Sequence, residues 1–374
     1  MLLLNCDDRL FLTQFLFEVL RVHTIDSSKP VCVTGGSGYI ASWIVKLLLD
    51  AGYTVHATVR DSSKKSSVAH LKKAAKGTKG ILKLFDADLL SPGSFSRAIE
   101  GCELVIHTAS PFVIRGFKDA NEALIRPAVD GTANVLNSCN EMESVKRVVL
   151  TSSVASIYGD AIESERVPAG VFTEEHWNTT SSESHQPYSF SKVMAEKKAW
   201  EICEKQKRWD LVTINPSLVV GPSLTANTQS TSIDVMRDLG GGKQRTGVPH
   251  LEFGLVDVRE VAQAHVLAGF NPKAKGRYIL SAQVATLLQM ATILKARYPT
   301  YPFPRVELPK FLVKLVAPIA AGVSREFVEK NVGYSLRFDN SRSCNELGIQ
   351  YRPLTETLNE HFGQMIDDGL IKAR

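Results

Sequence analysis

Tyr188 and Lys192 lie four residues apart in a segment whose pattern predicts a helix over residues 187–207. At this spacing both side chains lie on one helix face. A tyrosine, with an ordinary pKa of about 10, can protonate a forming alkoxide near neutral pH when a neighbouring ammonium lowers that pKa. The pair therefore predicts a general acid for carbonyl reduction. Because such a pair is common by chance in a chain of 374 residues, the surrounding residues must support it.

A pair of serines, Ser152 and Ser153, follows the fifth predicted strand, 148–151. In open parallel sheets, ligands bind at the carboxyl ends of the strands. A hydroxyl at this place could donate to the substrate's carbonyl oxygen and orient it. The same serines could instead cap the turn that follows.

A glycine-rich turn joins the first predicted strand to the first predicted helix. Gly35 would permit a tight turn, Gly38 a close approach to a pyrophosphate, and Ala41 close packing of the helix on the strand. Unpaired N–H groups at the start of a helix favour phosphate. The sequence therefore predicts dinucleotide binding by Gly35, Ser37, Gly38, Tyr39 and Ile40.

The end of the second strand predicts which dinucleotide binds. NAD-binding proteins carry an acidic residue there for the ribose 2′-hydroxyl, whereas this chain has Val59 followed by Arg60, Asp61 and Lys64. A guanidinium and an ammonium suit a 2′-phosphate, so we expect NADPH rather than NADH. Asp61 could still turn toward a ribose, and the basic residues could simply form a solvated helix face.

Short apolar strands alternate with helices over residues 31–215, which predicts a Rossmann-type, doubly wound parallel α/β sheet with a smaller mixed α/β substrate domain. On this pattern Asp88 and Leu89 would border the adenine, and Thr108, Ala109 and Ser110 would lie along the cofactor. The expected organisation is an N-terminal extension with a helix (1–28), an NADP-binding domain (29–221 and 254–275) and a substrate-binding domain (222–253 and 276–374). Residues 255–270 are expected to return to the cofactor domain as a strand and a helix.

Composition favours a cytoplasmic protein that binds a small molecule. The net charge of +5 is too small and dispersed to indicate nucleic acid. The six cysteines include no CxxC pair, so neither a disulfide framework nor a zinc site is indicated. The apolar stretch 10–22 is interrupted by Glu18 and preceded by acidic residues. It predicts a docked helix and a candidate homodimer interface rather than a transmembrane segment.

Together these motifs resemble the extended short-chain dehydrogenase/reductases, in particular the branch of dihydroflavonol and cinnamoyl-CoA reductases. The likeness covers about residue 29 to the C-terminus. It includes Val33-Thr34-Gly35-Gly36-Ser37-Gly38-Tyr39-Ile40, Ala57-Thr58-Val59-Arg60-Asp61, Asp86-Ala87-Asp88-Leu89, Val149-Leu150-Thr151-Ser152-Ser153, Tyr188-Ser189-Phe190-Ser191-Lys192 and Asn215-Pro216-Ser217-Leu218-Val219-Val220-Gly221-Pro222. The resemblance implies that Ser153 is the catalytic serine, acting with Tyr188 and Lys192. It also implies that Pro216 to Val219 line the nicotinamide.

The chain departs from that branch at the residues expected to contact substrate. Tyr158 stands where dihydroflavonol reductases carry an Asn, and Gly254 where they carry a Gln. The Asn-Trp-Tyr-Cys-Tyr signature of cinnamoyl-CoA reductases is absent around Tyr188. We therefore expect reduction of a less polar or smaller aldehyde, ketone or keto ester.

Two other functions compete with this interpretation. One is an NAD-dependent nucleotide-sugar epimerase or dehydratase, or a hydroxysteroid dehydrogenase, of the same family. The other is a non-catalytic NADP-sensing protein, since a fold does not by itself fix function. Retention of both Tyr188 and Lys192 favours an enzyme over the sensor.

Overall fold

A parallel sheet of seven strands forms the centre of the molecule. The computed structural model describes residues 24–111, 119–226, 230–320 and 322–373. The strands are β1 (Val31–Thr34), β2 (Thr54–Val59), β3 (Ile81–Asp86), β4 (Leu104–His107), β5 (Arg147–Thr151), β6 (Asp210–Pro216) and β10 (Gly276–Leu280). Their order in the sheet is β10-β6-β5-β4-β1-β2-β3, and every neighbouring pair is parallel.

Helices cover both faces of this sheet, because the strands carry apolar side chains on both sides. On β1, Val31 and Val33 face one core cluster and Cys32 faces another. The first cluster includes residues of α1 (Tyr39–Asp50), α2 (Lys65–Ala75) and α7 (Val258–Phe270). The second includes residues of α3 (Ser96–Ile99), α4 (Arg126–Glu141) and α5 (Pro187–Glu204). A π-helical turn, Asn121–Ile125, precedes α4.

A smaller part of the chain lies beyond the carboxyl ends of the strands and has its own apolar core. One sheet is formed by β7 (Leu218–Val220), β9 (Glu252–Asp257) and β11 (Gln283–Thr286), in the order β11-β9-β7. A second sheet pairs β8 (Val248–Pro249) with β12 (Glu307–Leu308). The helices are α6 (Thr231–Gly241), α8 (Leu287–Arg297), α9 (Lys310–Ala320), α10 (Arg325–Asn331), α11 (Ser341–Asn345) and α12 (Leu354–Asp367). The core includes Met236, Leu294 and Phe362.

The predicted fold class is confirmed, whereas two predicted boundaries are wrong. Gly276–Leu280 lies within the predicted substrate-binding domain (276–374), but it pairs along β6 as the edge strand β10 of the large sheet. After α7 has packed on the sheet, the chain returns to the sheet as β10, parallel to β6. Residues 255–270 return only in part: the helix α7 packs on the large sheet, but the strand β9 pairs with β7 and β11.

The predicted N-terminal helix falls within residues 1–23, outside the described residues, and residues 24–28 form a loop and a turn. None of the helices in the described ranges is long and apolar enough to cross a membrane. The described cysteines form no disulfide with one another, and Cys32, Cys102, Cys139 and Cys203 are buried.

Candidate active site

The glycine-rich turn lies between β1 and α1 and leaves the start of the helix uncapped. Gly35 has a φ of +65°, and a Cβ on it would lie 2.9 Å from the Cα of Ala109. The N–H of Gly38 donates to the carbonyl of Gly35 at 2.8 Å, which closes the turn. No side chain caps α1 at Gly38, and its first turn carries no acidic residue. These uncapped N–H groups favour an anion.

The hydroxyl of Thr34 fixes the glycine turn to the segment after β4. It accepts hydrogen bonds from the N–H groups of Thr108 and Ala109, both at 3.1 Å. It also lies 2.8 Å from Nδ1 of His107. Because both lone pairs of the hydroxyl are engaged, its single proton goes to His107, which must be neutral with its proton on Nε2. Burial lowers the pKa of His107 to about 3, consistent with that assignment.

The basic residues at the end of β2 are exposed and form no ion pair with a described carboxylate. This applies to both Arg60 and Lys64. The Asp61 carboxylate instead accepts hydrogen bonds from the N–H and hydroxyl of Ser63, at 2.9 and 2.6 Å. These bonds lower the pKa of Asp61. The end of β2 therefore presents cations, while its carboxylate is engaged in a local turn.

Three residues predicted to bind the cofactor use their side chains elsewhere. The Tyr39 hydroxyl donates to the carbonyl of Gly221, so only the backbone of Tyr39 faces the glycine turn. The Asp88 carboxylate accepts from the N–H of Leu90 at 2.8 Å. The Leu89 side chain packs against α4 at Gly131. Contacts of Asp88 and Leu89 with an adenine stay a prediction.

Helix α5 presents Tyr188 and Lys192 at the carboxyl edge of the sheet. The helix begins at Pro187, whose fixed φ suits the first helical position. Gln186 precedes it in the left-handed conformation, with φ 55°. The Lys192 Nζ lies 5.8 Å from the centre of the Tyr188 ring and donates to the Ser110 hydroxyl at 3.2 Å. The structure thus brings together residues 188 and 192 and the segment after β4.

The expected lowering of the tyrosine pKa is not produced by this arrangement. Burial raises the pKa of Tyr188 to about 12. Burial also lowers the pKa of Lys192 to about 8, an effect that the charge of Glu196 partly opposes. Desolvation is therefore the main cause of both pKa shifts. The Tyr188 hydroxyl therefore keeps its proton at neutral pH, as a proton donor requires.

The two serines after β5 have different partners. The buried Ser152 hydroxyl donates to a carboxylate oxygen of Glu196. Ser153 is only half-buried and accepts the N–H of Ala155 at 3.1 Å as it caps a short turn. Its hydroxyl lies 3.5 Å from the carbonyl oxygen of Pro216, a long contact that another acceptor could replace. Ser153 therefore has the hydroxyl that remains free to donate.

The residues at which this chain departs from the resemblance lie in aromatic surroundings. The Tyr158 ring centre is 5.0 Å from that of Phe172 and 5.5 Å from that of Phe338. A Cβ on Gly254 would lie 2.9 Å from both Phe338 and Ser217. A longer residue at position 254 would therefore not fit here. Val219 packs partly buried against the core of the large sheet, close to the Ser217 segment.

Sequence reasoning missed a buried group beside this site, formed by Glu196 and Arg277. Their Oε1 and Nε atoms are 2.7 Å apart, and both side chains are almost fully buried. The signal for Glu196 was its position four residues after Lys192, which places it on the same helix face. No pattern in the sequence indicated its partner, because Arg277 reaches the site only through the pairing of β10 with β6.

The fold and this edge of the sheet are those of an oxidoreductase with a dinucleotide-binding domain. The profile of the NAD dependent epimerase/dehydratase family matches residues 31–280. Cinnamoyl-CoA reductase CAD2 of Medicago truncatula is 43% identical over 88% of this chain and 93% of its own length. Dihydroflavonol 4-reductase of Gerbera hybrida is 33% identical over 87% of this chain and 88% of its own.

A solved structure supports the same assignment. Yeast methylglyoxal/isovaleraldehyde reductase complexed with NADPH is 28% identical and superposes with a TM-score of 0.74, covering 90% of this chain and 98% of that one. The chain belongs to the NAD dependent epimerase/dehydratase family, and within it to the branch of cinnamoyl-CoA and dihydroflavonol reductases.

Proposed function

We propose that this protein reduces an aldehyde, ketone or keto ester to the alcohol with NADPH. The observation that carries this proposal is the position of Lys192, next to both the Tyr188 ring and the Ser110 hydroxyl at the carboxyl edge of the sheet. The reductase names of the relatives support it.

The residues of the cleft suit NADPH. The uncapped start of α1 suits its pyrophosphate, and a side chain on Gly35 would collide with Ala109. Arg60 and Lys64 offer exposed cations for the 2′-phosphate. When bound, NADPH supplies the hydride that is added to the carbonyl carbon.

The chain's own residues supply the proton and the orientation. Tyr188, protonated at neutral pH, donates its proton to the carbonyl oxygen as charge develops there. Ser153 donates a hydrogen bond to the same oxygen. The Lys192 ammonium stabilises the tyrosinate that remains, until a proton from solvent restores it.

The surroundings of Tyr158 favour a substrate with an apolar body. Tyr158 lies five residues beyond Ser153 along the chain and forms an aromatic cluster with Phe172 and Phe338. Such walls stabilise apolar or aromatic groups and offer few partners for the several hydroxyls of a dihydroflavonol.

Oxidation of NADPH at 340 nm would test the function, using purified protein and a panel of substrates. The panel contains methylglyoxal, isovaleraldehyde, an aryl ketone, a keto ester, a dihydroflavonol and a cinnamoyl thioester, with NADH in parallel. We expect turnover with NADPH and a preference for the simple carbonyls. A strict preference for the dihydroflavonol would contradict the substrate proposal.

The same experiment addresses the two competing functions. Absence of turnover with both cofactors would contradict a reductase. NAD released on denaturing the protein would then favour an epimerase or dehydratase. Tight NADP binding without turnover would favour a sensor.

A further inference from the structure

Glu196 lies one helical turn after Lys192, so Tyr188, Lys192 and Glu196 follow one another along a single face of α5. Only 1% of Glu196 is exposed. A buried carboxylate is costly unless it is paired and hydrogen-bonded. Its contacts therefore show what this charge holds in place.

The carboxylate of Glu196 accepts hydrogen bonds from three neighbouring elements. Its Oε2 atom lies 2.5 Å from the Ser156 hydroxyl and 2.9 Å from the Asn215 amide nitrogen, and it also accepts from Ser152. Its Oε1 atom accepts from Nε of Arg277 at 2.7 Å. Glu196 thus joins α5 to the turn after β5, to β6 and to β10.

Two of these partners also lie against the backbone carbonyl of Ser153. The Ser156 hydroxyl lies 2.7 Å and the Asn215 amide nitrogen 3.3 Å from the Ser153 carbonyl oxygen. Through them, Glu196 fixes the turn that presents the Ser153 hydroxyl relative to the helix that presents Tyr188. No direct contact between Glu196 and a reacting atom is needed for this effect.

Arg277 is held from its other side. Its guanidinium lies 3.9 Å from the centre of the Trp177 ring. It donates to the carbonyls of Glu174 and His176 at 2.8 and 2.6 Å. The cation therefore stays in position and leaves the pair with Glu196 electrically neutral.

We propose that Glu196, with Arg277 as its counter-ion, is a positioning residue for carbonyl reduction: it fixes Ser153 relative to Tyr188 and supports the Lys192 ammonium. This inference rests on the proposed function.

The charges around Lys192 support the second role. Burial lowers the pKa of Lys192, and the negative charge of Glu196 opposes that effect. The other polar groups facing Lys192 are Tyr188, Ser110 and His107, and His107 is neutral at neutral pH because burial lowers its pKa to about 3. The carboxylate of Glu196, balanced by Arg277, is thus the negative charge available to the ammonium among the described residues.

The test compares three variants: Glu196→Gln, the double variant Glu196→Gln/Arg277→Met, and Glu201→Gln as the control. Glu201 lies on the same helix but is solvent-exposed and pairs with Lys198 and Lys205. For each protein, kcat and KM are measured across pH, with the thermal unfolding midpoint recorded. In parallel, the pH dependence of Lys192 acetylation is followed by peptide mass spectrometry without substrate.

Glu196→Gln should lower kcat on the order of a hundredfold, with little change in KM for NADPH, because Ser153 is displaced from Tyr188. The alkaline midpoints of kcat and of Lys192 acetylation should both fall by on the order of one pH unit, because Arg277 is left uncompensated. The double variant should restore both midpoints toward wild type, since it removes both charges. Glu201→Gln should change none of these.

Unchanged midpoints in Glu196→Gln, with kcat falling only as far as stability does, would overturn the inference. If Glu196→Gln does not fold, the double variant Glu196→Gln/Arg277→Met tests the inference instead. A wild-type kcat in the double variant would also overturn a positioning role. The acetylation measurement needs no turnover. An inactive wild type would therefore refute the proposed function while the effect of Glu196 on Lys192 was still measured.

Discussion

The backbone N–H of Gly221 donates a hydrogen bond to Nδ1 of His361, at a distance of 3.2 Å. Gly221 follows β7, where the chain passes into the smaller part of the molecule, and its φ of +113° strongly favours glycine. Its carbonyl accepts from the Tyr39 hydroxyl at the start of α1. The backbone of this one residue therefore links the start of α1 to helix α12.

Removing the Tyr39 hydroxyl should weaken this link. We expect Tyr39→Phe to lower the free energy of unfolding by roughly 1–3 kcal/mol, since the Gly221 carbonyl loses its donor. Urea unfolding followed by circular dichroism measures the change. Tyr53→Phe is the matched control, because Tyr53 is also partly buried and packs on Phe270 through its ring. An equal loss in both variants would show that the effect is not specific to the hydrogen bond with Gly221.

His361 should make the protein less stable in mild acid. Burial lowers its pKa from 6.5 to about 4, so the unfolded chain takes up a proton at a higher pH than the folded one. The contribution of His361 to the free energy of unfolding is thus fully present above pH 6.5 and is lost as the pH falls from there toward 4. At about 1.4 kcal/mol per unit of pKa shift, the loss in free energy of unfolding amounts to roughly 3 kcal/mol.

Urea unfolding at several pH values would measure this dependence. His361→Gln, which does not titrate at this position, should show a shallower loss of stability in acid than wild type. His250→Gln is the control, because the His250 side chain is 39% exposed and lies beside the Glu307 carboxylate. That variant shows whether replacing a histidine elsewhere in the protein changes the slope. Identical slopes in all three proteins would mean that other groups dominate the acid response.

The two serines after β5 should respond differently to loss of the hydroxyl. Ser153→Ala should lower kcat by roughly a hundredfold, because the carbonyl oxygen loses a donor. Ser152→Ala should instead lower the free energy of unfolding by roughly 1–3 kcal/mol, since it removes a donor from the buried Glu196, with a smaller loss of kcat. Steady-state kinetics and urea unfolding on both variants distinguish the roles. A larger kcat effect at Ser152 would reverse the assignment.

The sequence predicted the sheet because apolar strands and helices alternate regularly, and it placed the glycine turn and the Tyr188 helix correctly on this framework. It did not predict that Gly276–Leu280 completes the sheet, because a short edge strand after a loop has no periodic signal of its own. The Glu196–Arg277 pair was missed for the same reason. Pairings between distant strands depend on tertiary structure, which local patterns do not contain.

Arg60→Ala should weaken binding of NADPH much more than that of NADH. Only NADPH carries the 2′-phosphate, and a charge-assisted hydrogen bond contributes roughly 1.5–3 kcal/mol. We therefore expect a loss of roughly tenfold to a hundredfold in NADPH affinity, measured by quenching of protein fluorescence. Lys79→Ala, which removes a cation from the turn before β3, is the control for net charge. Equal weakening of both cofactors in Arg60→Ala would place the 2′-phosphate elsewhere.

Tyr188→Phe should abolish most turnover while leaving NADPH affinity nearly intact. The phenyl ring keeps the packing of α5, but the proton donor is gone, so kcat should fall by on the order of a hundredfold or more. In the wild type, kcat should decline as pH rises through about 8, because Lys192 loses the proton that stabilises the tyrosinate. Tyr334→Phe, whose ring instead lies 4.5 Å from Lys310 Nζ, should retain activity. Turnover that survives in Tyr188→Phe would require another proton donor, and the half-buried Ser153 would then be the first residue to replace in the double variant.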